Sequence, residues 1–211
     1  MINLKLILVF ILAYLIGSFP TGVIIGKIIF AKDIRNHGSG NIGTTNSFRV
    51  FGPFAGSLVL VIDVLKGTLA TTLPRLMHVP GPQYLLLISG GLAILGHTCS
   101  IFLKFKGGKA VATSAGLFLG YNLKFFGVCA LIFLPLVFIT SYVSLASLIS
   151  VVLIFIVTFF FHDVYLELIL GCIMVVLFVR HRSNINRLIH HKENIIPFGL
   201  WYWYKKRHDL L

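Results

Sequence analysis

Val143-Ser144-Leu145-Ala146-Ser147-Leu148-Ile149-Ser150-Val151-Val152-Leu153-Ile154-Phe155-Ile156-Val157-Thr158-Phe159-Phe160-Phe161 contains no charged side chain. His162 and Asp163 interrupt it, and residues 164–180 are apolar again apart from Glu167 and the terminal Arg180. A helix needs ~20 apolar residues to cross the ~30 Å hydrocarbon core of a bilayer, with ~17 as the lower end. Working outward, further apolar runs cover 125–139, 110–121, 84–103, 54–73 and 4–25. Over 211 residues, 57% are hydrophobic and only 11% are charged, where a soluble domain carries about 25%. Lipid is therefore the solvent for most of the chain. Backbone polar groups in lipid must be satisfied within the segment that carries them. The expected fold is all-α: a polytopic transmembrane helix bundle forming a single domain over 1–211. The run 4–25 has only Lys5 before it and no small-residue cleavage pattern behind it, so it reads as a span rather than a signal peptide.

The charges set the count. The formal net charge is +12, which in a soluble chain would suggest nucleic acid. Here the basic residues are confined to short segments between apolar runs, a pattern that fits topology signals and anionic small molecules instead. One loop carries Lys27, Lys32, Arg35 and Arg49, a second Lys104, Lys106 and Lys109, and the tail Arg180, Arg182, Arg187, Lys192, Lys205, Lys206 and Arg207. These regions hold 14 of the 18 basic residues, so all three are expected inside. Two spans then separate the first loop from the second, and an even number separates the second from the tail. Asn122 with Lys124, Thr140-Ser141-Tyr142, and His162-Asp163 divide 110–180 into four pieces. Seven spans result, with the N-terminus outside and the C-terminus inside; five spans is the alternative. The short piece 110–121 is expected to be sheltered by protein. Residues 194–211 form a basic, aromatic interfacial tail in which Trp201–Tyr204 sit at headgroup level and Lys205, Lys206 and Arg207 favour an anionic bilayer. Cys99, Cys129 and Cys172 stand singly in apolar surroundings and suggest neither a disulfide framework nor a metal site.

Three clusters carry chemistry. The first is Gly38-Ser39-Gly40-Asn41-Ile42-Gly43-Thr44-Thr45-Asn46, followed by Arg49. Gly38, Gly40 and Gly43 match the dinucleotide pattern G-x-G-x-x-G, but that pattern needs a preceding strand in a βαβ unit, and here it follows a membrane helix. Its physical content remains. Glycines allow close backbone approach to an anion, Ser39, Thr45 and Asn46 add donors, and Arg49 adds a planar fork. The second cluster runs from Gly96-His97 through Phe102-Leu103-Lys104-Phe105-Lys106-Gly107-Gly108-Lys109 to Ala112-Thr113. It lacks the first glycine of a P-loop, and Ala110 replaces the hydroxyl residue. It still sets ammonium groups and two glycines just before an expected helix N-terminus, which favours anions. The third is Arg180-His181-Arg182-Ser183-Asn184-Ile185-Asn186-Arg187-Leu188, then Glu193, with His181 and Asn184 spaced to share a helical face. Asp63 and Lys66, three residues apart inside an apolar run, read as an internal ion pair.

Together these strings resemble the small bacterial acyl-phosphate-dependent glycerol-3-phosphate acyltransferase family, with Asp63-x-x-Lys66-Gly67 as a further match. The resemblance runs over most of the chain in order. It implies a seven-helix enzyme of the bacterial cytoplasmic (inner) membrane, its active site facing the cytoplasm. Such an enzyme moves a fatty acyl group from acyl phosphate to the 1-hydroxyl of sn-glycerol 3-phosphate, giving lysophosphatidic acid and phosphate in the first step of phospholipid synthesis. The resemblance implies a catalytic set of Ser39, Arg49, Lys109, His181 and Asn184. Gly40, Gly43, Thr45, Asn46, Lys104, Gly107, Gly108 and Arg182 are expected to bind substrate, the glycine pair and its lysine holding glycerol 3-phosphate. Asp63, Lys66 and Glu193 are expected to give structural support. No cofactor, metal, nucleic acid or obligatory protein partner is expected. Two positions depart from the family pattern: Thr44 replaces the usual Ala, and His191 the usual Gly, which puts the local turn in doubt.

The residue chemistry is consistent with that resemblance. Both substrates carry phosphate, and the chain offers two Gly/basic loops. Acyl phosphate is already activated, so the protein must orient a hydroxyl and stabilise developing charge. No His-x-x-x-x-Asp acyltransferase motif is present, which leaves His181 or a substrate phosphate as the base. The rival classes are a transporter of an organic phosphate anion and an inactive scaffold. A transporter would favour internal repeats and basic residues at mid-membrane depth; neither is evident.

Overall fold

The computed structural model describes residues 4–210; residues 1–3 and Leu211, the last residue of the expected tail, lie outside the described residues. Among the described residues there are helices and 3₁₀ turns and no strand. The chain divides into two compact units, one up to Leu123 and one from Lys124.

In the first unit, α1 (Leu4–Ser18) and α2 (Thr21–Phe30) replace the unbroken helix expected over 4–25. They are bent by 45° at Phe19-Pro20. Pro20 lacks an N–H, and its ring blocks a continuous helix. The carbonyls freed by the break find partners: Ser18 O accepts from Ser100 Oγ at 2.6 Å and Phe19 O from Lys66 Nζ at 3.1 Å. Next, α3 (Thr44–Leu76) is much longer than the apolar run 54–73, because its first two turns belong to the polar cluster. Gly52, at φ 84 and ψ −176, breaks its regular geometry just before Pro53. The unit closes with α4 (Tyr84–Thr98) and α5 (Val111–Tyr121).

At 11 residues α5 is about 16 Å long, short of a full crossing. It packs against α3 and α4, as the sheltering expectation required. A Cβ on Gly67 would strike Thr113 O, and one on Gly116 would strike Val64 O, so the two backbones lie in direct contact. Thr68 Oγ1 ties them by donating to Gly116 O at 3.0 Å.

The second unit holds α6 (Leu123–Thr140), α7 (Val143–Thr158), α8 (Val164–Arg180), α9 (Arg182–Ile189) and α10 (Leu200–Arg207). Asp163, part of the polar break read from the sequence, caps α8 by accepting from the Tyr165 and Leu166 N–H groups at 3.1 Å; such caps satisfy otherwise orphaned donors. The α8–α9 junction bends by 59°. The tail returns to the α6–α7 turn: Ile196 N–H donates to Ser141 O at 2.9 Å, Tyr202 N–H donates to Ser141 Oγ at 3.0 Å, and the rings of Trp203 and Phe138 meet in a T-shaped contact.

Among the described residues, four stretches can cross a bilayer by length and composition, 44–76, 84–103, 123–140 and 143–161, and the two bent pairs raise this to six.

Candidate active site

The first loop is built around one buried side chain. Asn46, 2% exposed, donates through Nδ2 to His37 O at 3.0 Å and to Asn41 O at 2.8 Å, and its Oδ1 accepts from the Ser39 N–H at 2.9 Å. The loop therefore wraps its own amide, with Gly38 and Gly40 supplying positive φ of 58 and 70. Gly43 N–H is spent on Asn41 Oδ1 at 2.9 Å. Asn46, expected among the substrate ligands, holds the loop in shape in this structure. Ser39 and Arg49 are exposed, Thr45 is half-buried, and Gly43 leads directly into α3, which has no side-chain cap at its N-terminus. Upstream, Arg35 forks onto Asp33 at 2.9 and 2.6 Å, and that hydrogen-bonded guanidinium holds the Asp33 carboxyl down to about 2.

The second loop leans on α4. Gly107 N–H donates to Thr98 O and Gly108 N–H to His97 O, both at 3.0 Å. Both amides expected to cradle a phosphate thus bond to the last turn of α4 in this structure. Glycine is required here for close approach to protein: a Cβ on Gly107 would fall on His97 O, and one on Gly108 on His97 Nε2. Lys104 and Lys106 are exposed and Lys109 is half-buried. Ala110, at φ 60, starts α5, so the helix N-terminus lies where the sequence placed it. Ile34, Ile42 and Leu103 share an apolar cluster with Val23, which brings the first and second loops together in one unit.

Beneath them the Asp63–Lys66 pair is closed and buried, with Nζ to Oδ1 at 2.7 Å and side-chain exposures of 2% and 6%. Thr21 Oγ1 donates to the same Asp63 oxygen at 2.8 Å, and His97 Nδ1 lies 4.0 Å from it. Sequence reasoning gave His97 no role. The available signal was a histidine within an apolar run, where a titratable group usually faces the protein interior.

The third cluster lies in the second unit. His181 occupies the bend between α8 and α9, buried, with Nδ1 2.8 Å from Leu177 O. A carbonyl only accepts, so this bond places a proton on Nδ1, and in the neutral form of the ring the acceptor nitrogen is then Nε2. Asn184 Nδ2 donates to Glu193 Oε1 at 2.9 Å, and Arg187 Nε donates to Glu193 Oε2 at 2.8 Å. Glu193 thus holds two members of the cluster, while Arg182 is exposed. His191 resolves the doubt about its turn. It adopts φ 56 at the end of α9, a left-handed position that glycine favours and an unbranched side chain occupies at a cost of about 1–2 kcal/mol. Lys192 N–H still reaches Arg187 O at 2.7 Å to close the cap.

Residues 7–191 match the family model described as glycerol-3-phosphate acyltransferase. The chain belongs to the glycerol-3-phosphate acyltransferase family. Glycerol-3-phosphate acyltransferase 2 of Lactobacillus johnsonii is 75% identical, covering 100% of this chain and 97% of that one. Its namesake in Lactobacillus acidophilus is 62% identical over 99% of this chain and 98% of that one. The fold is similar to the crystal structure of PlsY (YgiH), an integral membrane glycerol 3-phosphate acyltransferase, in its glycerol 3-phosphate form. The TM-score is 0.83 at 34% identity, covering 90% of this chain and 95% of that one. The lysophosphatidic acid form of the same protein gives a TM-score of 0.80. Against this family background the two loops of the first unit and the His181 cluster are the acyltransferase's candidate substrate-handling elements.

Proposed function

We propose that this membrane protein transfers a fatty acyl group from acyl phosphate to the 1-hydroxyl of sn-glycerol 3-phosphate. The observation that carries the reading is the likeness, along nearly the whole chain, to a solved enzyme known in a glycerol 3-phosphate form and a lysophosphatidic acid form: one is the acceptor, the other the product. The hydroxyl oxygen bonds to the acyl carbon, the bond from that carbon to the phosphate oxygen breaks, and the hydroxyl proton leaves on the departing phosphate or through His181. Arg49 and Lys109 stabilise phosphate charge. Ser39, Thr45 and the α3 N-terminus line the first loop's anion site, with Gly40 and Gly43 shaping it. Lys104 and Arg182 attract the substrates, and His181 with Asn184 orients the reacting groups. Purified protein given acyl phosphate and glycerol 3-phosphate is expected to release lysophosphatidic acid and inorganic phosphate in equal amounts. Absence of that product would remove the reading.

The arrangement proposed in the membrane is seven spans, the six candidate stretches and the short, protein-sheltered α5, with the N-terminus outside and the C-terminus and both Gly/basic loops in the cytoplasm. The basic-residue asymmetry supports it. So does the tail: Ile196 bonded to Ser141 sets the two ends of the α7–α8 pair at one level, as an even number of crossings requires. In intact cells, single cysteines at Ser39, Lys106 and Ser183, on a background lacking Cys99, Cys129 and Cys172, are expected to resist an impermeant thiol reagent and to react after permeabilisation. Labelling of any one from outside would overturn this topology.

A further inference from the structure

We infer that His97 is a positioning residue for the acceptor loop, coupling the buried Asp63–Lys66 pair to Gly108 and thereby to Lys109; this rests on the reading that the second loop holds glycerol 3-phosphate. Asp63 is a fixed point. Its Oδ1 is gripped by Lys66 at 2.7 Å and Thr21 at 2.8 Å, and Lys66 is in turn held by Phe19 O at 3.1 Å. His97, 4% exposed, sets one ring nitrogen 4.0 Å from that carboxylate. The opposite nitrogen stands against Gly108 so closely that no Cβ fits between them. The same residue accepts the Gly108 N–H through its carbonyl at 3.0 Å, and Thr98 takes the Gly107 N–H at 3.0 Å.

One side chain thus lies between a buried carboxylate, 4.0 Å away and beyond hydrogen-bond reach, and the loop backbone, while its own main chain carries the loop. Two hydrogen bonds fix the height of residues 107 and 108 over α4, and the ring edge fixes how far they sink toward the core. Lys109 follows directly. A misplacement of about 1 Å in such a group costs up to ~10²-fold in rate. This role explains why Gly108 must be glycine although its amide bonds to protein.

The test is a double-variant cycle measured by steady-state kinetics in both substrates. His97→Ala is expected to raise the KM for glycerol 3-phosphate by roughly 10-fold or more, with little change in the KM for acyl phosphate. Gly108→Ala, whose methyl group meets the ring, should show the same selective rise. Combined with His97→Ala the methyl has room, so the double variant should be no worse than His97→Ala alone. In a His97→Phe background the ring bulk remains, and Gly108→Ala should still be costly; this background also serves if His97→Ala does not insert. Multiplying losses in the double variant, an equal rise in both KM values, or unchanged kinetics in His97→Ala would each overturn the inference. A wild-type protein that makes no lysophosphatidic acid would instead sink the proposed function.

Discussion

Arg49→Lys is expected to lose at least ~10²-fold in kcat/KM, the scale of removing one preorganised charge-stabilising donor from a transfer site, while inserting and folding normally. Arg49 is exposed in the second turn of α3, immediately after the loop that Asn46 holds together. A guanidinium offers phosphate two parallel hydrogen bonds from a rigid plane, and an ammonium on a flexible stem cannot reproduce that geometry. The other arginine of this segment is no substitute. Arg35 has its fork on Asp33 at 2.9 and 2.6 Å. The carboxyl, held at about 2, stays charged at any working pH. Lysine preserves the topology charge, so the variant separates phosphate geometry from membrane orientation. Near-normal turnover in Arg49→Lys, measured on purified protein, would reduce Arg49 to a topology signal.

The second large effect concerns His181. An obligatory general base, once removed, costs on the order of 10²–10⁴-fold. The bond from His181 Nδ1–H to Leu177 O at 2.8 Å presents Nε2 as the acceptor, a state suited to either accepting a proton or orienting a hydroxyl. Acyl phosphate brings basic oxygens to the reaction centre, so orientation is the expected role. His181→Gln carries an amide to about the place of Nε2 and is expected to retain more activity than His181→Ala. The profile of kcat from about pH 5.5 to 8.5 brackets the ordinary histidine value of about 6.5, and the glutamine variant should lack any break there. Equal, near-complete loss in both variants, with folding intact, would restore His181 as the base.

Much of this architecture was legible because lipid simplifies the code. Apolar runs gave most helices, and the i, i+3 spacing of Asp63 and Lys66 gave the buried pair. Pro20 stands inside the run 4–25, and its missing donor was sufficient warning of the break that follows Ser18. Helix α5 was harder. Its shortness was legible, but its close seat, with Gly67 of α3 and Gly116 of α5 letting the two backbones touch, is a fact of tertiary contact. The glycine pair 107–108 shows the same limit. A glycine marks a place where something comes close, but its identity does not say whether that is a phosphate or the end of a neighbouring helix. The inward turn of the Asn46 amide is likewise a fact of the folded loop: the carbonyls of His37 and Asn41 needed donors.

The contacts of Ser141 with Ile196 and Tyr202 also order events during synthesis. A chain emerges N-terminus first and tends to fold in that direction, so the α6–α7 turn exists before the segment that fastens it has been made. Helices α7 and α8 must therefore be threaded into the bilayer while that turn is still open. The strap formed by Ile196 and Tyr202 is a latch that closes after α7 and α8 have been made, and a chain stopped before Ile196 lacks both that latch and α10.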